Sequence, residues 1–210
     1  MTFSGFRPGA VRFLDGLAAD NSKGNFDAHR DAYQTDIRGP LEDLTAEAEE
    51  KYGPGKVMRP NRDVRFSKDK SPYRLTAAMW AGEVGGVYLS LTRDHIEVGG
   101  GIYEPTRDQL LRARTAIADT PRAAAELDTI VKTLATRGFR MAGPSLTTAP
   151  RGYDRDHDQI ELLRLKHYAA ITNIRVTAGR DDVRTAWKQV EPLIAWADEH
   201  VGVAAAMPGR

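Results

Sequence analysis

The sequence contains no cysteine. That absence removes disulfides, zinc–thiolate sites, iron–sulfur clusters and a thiol nucleophile together, and it accords with a reducing, cytoplasmic setting. Histidine is sparse as well. The five present, His29, His95, His157, His167 and His200, form no pair at the i, i+4 spacing that turns two imidazoles toward one ion. No metal site and no cofactor are expected on that ground; were a metal bound, His157 with Asp154 or Asp156 would be the first suspects. No run approaches the ~18 uncharged apolar residues of a membrane span. The start, Met1 to Pro8, lacks the basic-then-apolar order of a signal peptide, so no membrane partner is expected. An excess of charge is also missing: 30 basic residues stand against 29 acidic ones, a net charge of +1. Nonspecific nucleic-acid binding draws on many uncompensated basic contacts. Nucleic acid is therefore not an expected partner, and any basic footprint must be local. Oligomeric state leaves no mark in the sequence.

The 210 residues suit one domain, expected over residues 1–203, with 204–210 a flexible tail. The first third carries helical periodicity. Val11, Leu14, Leu17 and Ala18 suggest a short face, and Phe26, Tyr33, Ile37, Leu41, Leu44 and Ala48 recur at sums of three and four. Gly39-Pro40 interrupts that stripe, where proline's missing N–H predicts a break or kink. The middle reads as antiparallel sheet: Leu75–Trp80, then Val87, Leu89 and Leu91 on one face, then Ile96–Val98, with Gly99-Gly100-Gly101 ending the strand. Thr106 with Gln109 is a capping box, and Thr120-Pro121 opens a second helix that Gly138 stops. A strand near Tyr168–Val176 precedes a last helix with Val183, Trp187, Val190, Ile194 and Ala197 on one face and a kink at Pro192. The expected class is α+β: a single compact domain whose antiparallel sheet packs against helices from the N-terminal, middle and C-terminal segments.

Two polar segments could carry chemistry. In Arg62–Arg74 the basic residues Arg62, Arg65, Lys68, Lys70 and Arg74 outnumber Asp63 and Asp69, and Ser67, Ser71 and Tyr73 add hydroxyls. Guanidinium forks bind carboxylate or phosphate at two points, and lysine adds a point charge. The plainer alternative is a solvated, salt-bridged loop. In Ala149–Asp158, Arg151, Tyr153, Asp154, Asp156 and His157 lie within a few positions. A histidine beside carboxylates suits proton transfer near neutral pH. The alternative has Asp158 capping the next helix with Glu161 as its box partner, while Asp154 and Asp156 fix a turn.

Named motifs fail at essential positions. Asp154, Asp156 and Asp158 begin like a calcium loop, but Gln159 stands at its glycine and Leu165 at its closing glutamate. Gly55-Lys56 resembles the end of a phosphate loop without the hydroxyl that holds magnesium, since Val57 follows. Gly99-Gly100-Gly101 lacks dinucleotide-fingerprint spacing.

The run from Arg62 to Tyr73, together with Pro150-Arg151-Gly152-Tyr153-Asp154 and Asp156-His157, resembles the two signature stretches of the bacterial domain of unknown function 2461. Phe3-Ser4-Gly5-Phe6, Phe13-Leu14, Asn21, Gly100-Gly101-Ile102-Tyr103 and Leu162-Leu163-Arg164 with Lys166 fit as well. Two departures stand out. Asn25 occupies a tryptophan position, and Asp158 follows the histidine where proline is usual. The resemblance implies one compact domain and carries no established activity.

Two readings therefore stand side by side. In the first, a pocket takes a small anionic ligand, phosphorylated or carboxylated, with Arg62, Arg65, Lys68, Lys70, Tyr73 and Arg151 as ligand-binding residues. Tyr153 and His157 are then the catalytic candidates, should there be a reaction. In the second, the chain is a non-enzymatic structural or partner-binding module with a local basic patch. A basic cluster this dense needs anionic partners, and Asp154 and Asp156 are the candidates for meeting it. Arg65 is the test residue: buried and paired with such a carboxylate, it supports the fold; lining an open anion pocket, it binds the ligand and the fold does not depend on it.

Overall fold

The computed structural model describes residues 3–65 and 67–204. The elements, in order, are α1 (Pro8–Ala19), α2 (Lys23–Ala28), α3 (Arg30–Tyr33), a π-helical turn (Gln34–Arg38), α4 (Gly39–Tyr52), β1 (Gly55–Val57), β2 (Ala77–Gly82), β3 (Gly86–Leu91), β4 (His95–Ile102), α5 (Arg107–Asp119), α6 (Pro121–Thr136), β5 (Arg140–Met141), α7 (Ile160–Leu163), β6 (Tyr168–Arg175) and α8 (Arg180–His200). The strands form a six-stranded antiparallel sheet in the order β1-β2-β3-β4-β6-β5. The α+β class is thus the one expected. Two compact units divide the chain. One comprises Met1–Gly82, Val87–Val98 and Asn173–Ala186; the other comprises Glu83–Gly86, Gly99–Thr172 and Trp187–Arg210.

In the first unit the helical stripe holds in full: Phe26, Tyr33, Ile37, Leu41, Leu44 and Ala48 are all buried. The expected break at Gly39-Pro40 does not occur. Helical backbone continues, widened through the π turn, where the Gly39 N–H bonds Gln34 O five residues back. The wider turn moves the preceding carbonyls away from the proline ring, which has no N–H to offer them. Glycine suits position 39 because a Cβ there would lie 3.2 Å from that Gln34 carbonyl. On α1 the buried face is Ala10, Phe13, Leu14 and Leu17. Val11 is only half-buried and Ala18 is exposed, so the face is rotated by about one residue from the expected one. α4 packs on β1 and β2, and β1 pairs with β2 in the register Lys56↔Trp80. β1 was not expected, because its three residues show no alternation.

In the second unit, Thr106 and Gln109 form the capping box at the head of α5. Gly138, at φ +81°, follows the end of α6. The triple glycine does not end β4; the strand runs through it to Ile102. A Cβ on Gly99 would lie 2.0 Å from Ala170 O, and one on Gly101 2.2 Å from Tyr168 O. Glycine here admits the backbone of β6 and does not form a turn. α8 stays helical through Pro192, and its expected face, from Val183 and Trp187 to Ala197, is buried.

Candidate functional site

Residues 60–74 form a loop closed at its base by backbone bonds. Arg62 N–H donates to Pro72 O at 2.8 Å, Arg74 N–H to Pro60 O at 2.8 Å, and Asn61 bridges Tyr73 in antiparallel fashion. Asn21 completes the anchor. Its side-chain carbonyl accepts from Tyr73 N–H at 3.0 Å, and its amide donates to Tyr73 O at 3.2 Å, reproducing with one side chain what a neighbouring strand would supply. The Tyr73 ring is buried and stacks on Phe26 with centroids 4.2 Å apart and planes at 11°. Phe26 in turn meets Phe13 edge-on and Tyr33 at a tilt. The base of the loop therefore stands on an aromatic cluster.

Beyond that base the loop is polar. The Arg65 guanidinium forks onto Asp63, with contacts of 2.6–3.2 Å. These bonds, with the Arg65 backbone N–H, hold the Asp63 carboxyl below its ordinary range. Arg62 bonds Asp69, whose other oxygen accepts from Ser71 N–H at 2.9 Å. Ser71 and Arg62 together hold the Asp69 carboxyl far below the usual carboxylate range. Lys70 Nζ donates to Val64 O at 3.0 Å. Lys68 and Arg74 are exposed and, among the described residues, pair with no carboxylate. The acidic partners expected from Asp154 and Asp156 are thus not what Arg62 and Arg65 use: Asp69 and Asp63 of the same loop serve. Arg65 is 77% exposed, so it is not a buried arginine paired with a distant carboxylate. An extended run from Asp63 to Phe66 would turn Val64 and Phe66 inward; Val64 is half-buried, and Phe66 lies outside the described residues.

Arg151, Tyr153 and His157 lie in the second unit, on a tight turn. Tyr153 N–H bonds Pro150 O at 3.1 Å, and the Asp154 carboxylate accepts from Asp156 N–H at 3.0 Å, the turn-fixing role expected of it. Arg151 is exposed, while Tyr153 and His157 are half-buried. Capping of α7 differs from expectation. Asp158 makes no cap; the His157 ring accepts from Gln159 N–H through Nδ1 at 3.0 Å. An accepting Nδ1 carries a lone pair, so the neutral ring bears its proton on Nε2. In that state Nε2 donates, and the nitrogen that could take a proton is already engaged. Sequence reasoning missed Arg114, which donates to Leu163 O at 3.0 Å and Leu165 O at 3.4 Å and so closes the carbonyl end of α7. Tyr168, near Tyr153 and Arg114, has its phenol pushed well up by burial.

The model of the domain of unknown function 2461, described as a conserved hypothetical protein, matches residues 9–196. The chain belongs to this family. No curated protein matches the sequence. Of the two departures from the family pattern, Asn25 has a definite role: its amide donates to Asp20 O at 2.7 Å and Gly16 O at 3.2 Å, tying α2 to the end of α1. Among the described residues, no helix is long and apolar enough to cross a membrane.

Proposed function

We propose that this member of the family is a binding protein for an anionic group, phosphate or carboxylate, taken up on the 60–74 loop. The observation that carries the reading is a division of labour within the loop. Tyr73, with Asn21 and Phe26, fixes the base in buried contacts. Arg62 and Arg65 are oriented and neutralised by Asp69 and Asp63. Lys68, Lys70 and Arg74 remain outward with uncompensated charge. An anchored loop loses little conformational freedom when an anion binds, which is what favours affinity at an exposed site. Tyr73 is then an anchor and not a ligand contact. Catalysis at Tyr153 and His157 has less support, because the His157 lone pair is spent on Gln159.

The test is a thermal-shift titration with inorganic phosphate, pyrophosphate and citrate at low ionic strength. A ligand that binds only the folded chain raises the melting point with concentration. The expected result is a saturable rise with pyrophosphate that weakens with added salt and is lost in the Lys68→Ala, Lys70→Ala double variant. No rise with any probe, or an equal rise in the double variant, refutes the proposal.

A further inference from the structure

Apart from the loop, the described residues contain one group of metal-ligating side chains whose donor atoms converge. Glu126 on α6 and Glu199 and His200 in the last turn of α8 bring two carboxylate oxygens and an imidazole nitrogen within 4.8 Å of one another. His200 Nε2 lies 3.9 Å from a Glu126 oxygen and 3.9 Å from a Glu199 oxygen. Those distances are too long for hydrogen bonds and longer than the ~3.3 Å that separates two tetrahedral ligands of one small ion. The nitrogen itself is shut off from solvent and has no hydrogen-bond partner, although a buried polar atom ordinarily finds one. The ring is fixed in place by Trp196, whose centroid is 5.3 Å away, and Trp196 is fully buried with its indole N–H donating to Ala123 O at 2.9 Å. The nitrogen ligand is therefore preorganised. The two carboxylates are 43% and 68% exposed and are free to close the remaining gap.

We propose that Glu126, Glu199 and His200 bind a divalent first-row transition-metal ion of the zinc or manganese type. One imidazole nitrogen with two carboxylate oxygens is a borderline-to-hard donor set, and water fills the remaining positions. Binding uses the unprotonated Nε2, so the ion replaces any proton held there. It also removes the repulsion between two carboxylates that face the same nitrogen. The spacing of histidines along the chain hid the group, since Glu199 and His200 are sequence neighbours and the third ligand sits on another helix.

The 210-residue chain, stripped with a chelator and dialysed against zinc chloride, tests this by elemental analysis, with a parallel cobalt titration followed by visible absorption. The expected result is about one zinc per chain, a cobalt spectrum showing nitrogen ligation, and a melting point that rises saturably with zinc. His200→Asn could disturb the Trp196 contact, so Glu126→Gln, at a half-exposed position, is the second variant. It should melt like the parent without metal and lose both the zinc and the shift. Absence of stoichiometric zinc overturns the proposal, as does zinc retained equally by Glu126→Gln. A melting point that responds to pH alone makes the trio a protonated-histidine ion pair, which also overturns it.

Discussion

Replacing Asn21 by alanine tests whether the 60–74 loop is held at its base as the geometry indicates. The substitution removes two hydrogen bonds, one to Tyr73 N–H at 3.0 Å and one to Tyr73 O at 3.2 Å. Each such bond contributes about 1 kcal/mol net, and a backbone group left unpaired near the interior adds to the loss. Tyr73 is 6% exposed, so water does not fully replace the lost partner. The bonds themselves are only partly buried, which keeps the total at about 2–3 kcal/mol. In a chain of this size that is a drop of about 4–12 °C in melting temperature. Asn21→Asp is the sharper variant. It keeps the acceptor for Tyr73 N–H but sets a carboxylate oxygen against Tyr73 O, so it should also destabilise. Thermal and urea melts of both variants measure this, and pyrophosphate titration reports whether the loop still presents its basic groups. Pyrophosphate affinity should fall with the anchor. A stability loss below ~0.5 kcal/mol with unchanged binding would refute the anchoring role.

Two further outcomes are expected. Gly99→Ala should be severe, because the new Cβ would lie 2.0 Å from Ala170 O and 2.8 Å from Ile171 Cα, both main-chain atoms of β6 that no rotamer change can move; urea unfolding should show a loss of more than ~3 kcal/mol, and a loss under ~1 kcal/mol would mean the close approach is not real. Asp198→Asn bears on pH: the residue is exposed at the surface, yet partial desolvation by its neighbours, and then the nearby Glu83, push its carboxyl up against the pull of the Gly85 N–H. An acid whose folded pKa is raised binds its proton more readily in the folded chain, so it favours folding as pH falls and opposes folding above its folded pKa. Asparagine keeps an acceptor for Gly85 without the charge, so its melting point should equal or exceed the parent's at pH 7. The advantage should vanish below about pH 4, where the unfolded carboxyl is protonated too; a lower melting point at pH 7 would contradict this.

What the sequence disclosed and what it concealed follow from the range of the interactions. The stripe from Phe26 to Ala48 was legible because burial of one helix face depends only on spacing, and all six residues are buried. The capping box at Thr106 was legible for the same reason: its partners are three residues apart. Gly39-Pro40 misled because proline's incompatibility with an α-turn is local, whereas the π turn that accommodates it draws on residues back to Gln34. Gly99-Gly100-Gly101 misled because its reason lies in the β6 backbone, more than sixty positions along the chain, and no local pattern announces that approach.

The candidate site shows the opposite failure, in which a long-range explanation was sought where a short one served. Five basic residues within the 62–74 run raised an electrostatic demand that Asp154 and Asp156 were expected to meet. Asp63 and Asp69 meet the part of it that belongs to Arg65 and Arg62: Asp63 lies two positions from Arg65, Asp69 seven from Arg62. Such short loops favour local pairing because closing a few residues costs little entropy, whereas a distant carboxylate must be delivered by the fold. Local pairing also explains why the lysines are left over. A guanidinium fork matches a carboxylate at two points and captures it; an ammonium group, strongly hydrated and single-pointed, competes poorly for the same oxygens. Lys68 is left without a carboxylate, and Lys70 settles for the Val64 carbonyl. The charge available to an incoming anion is therefore carried by the lysines with Arg74, while Arg62 and Arg65 shape the loop that presents them.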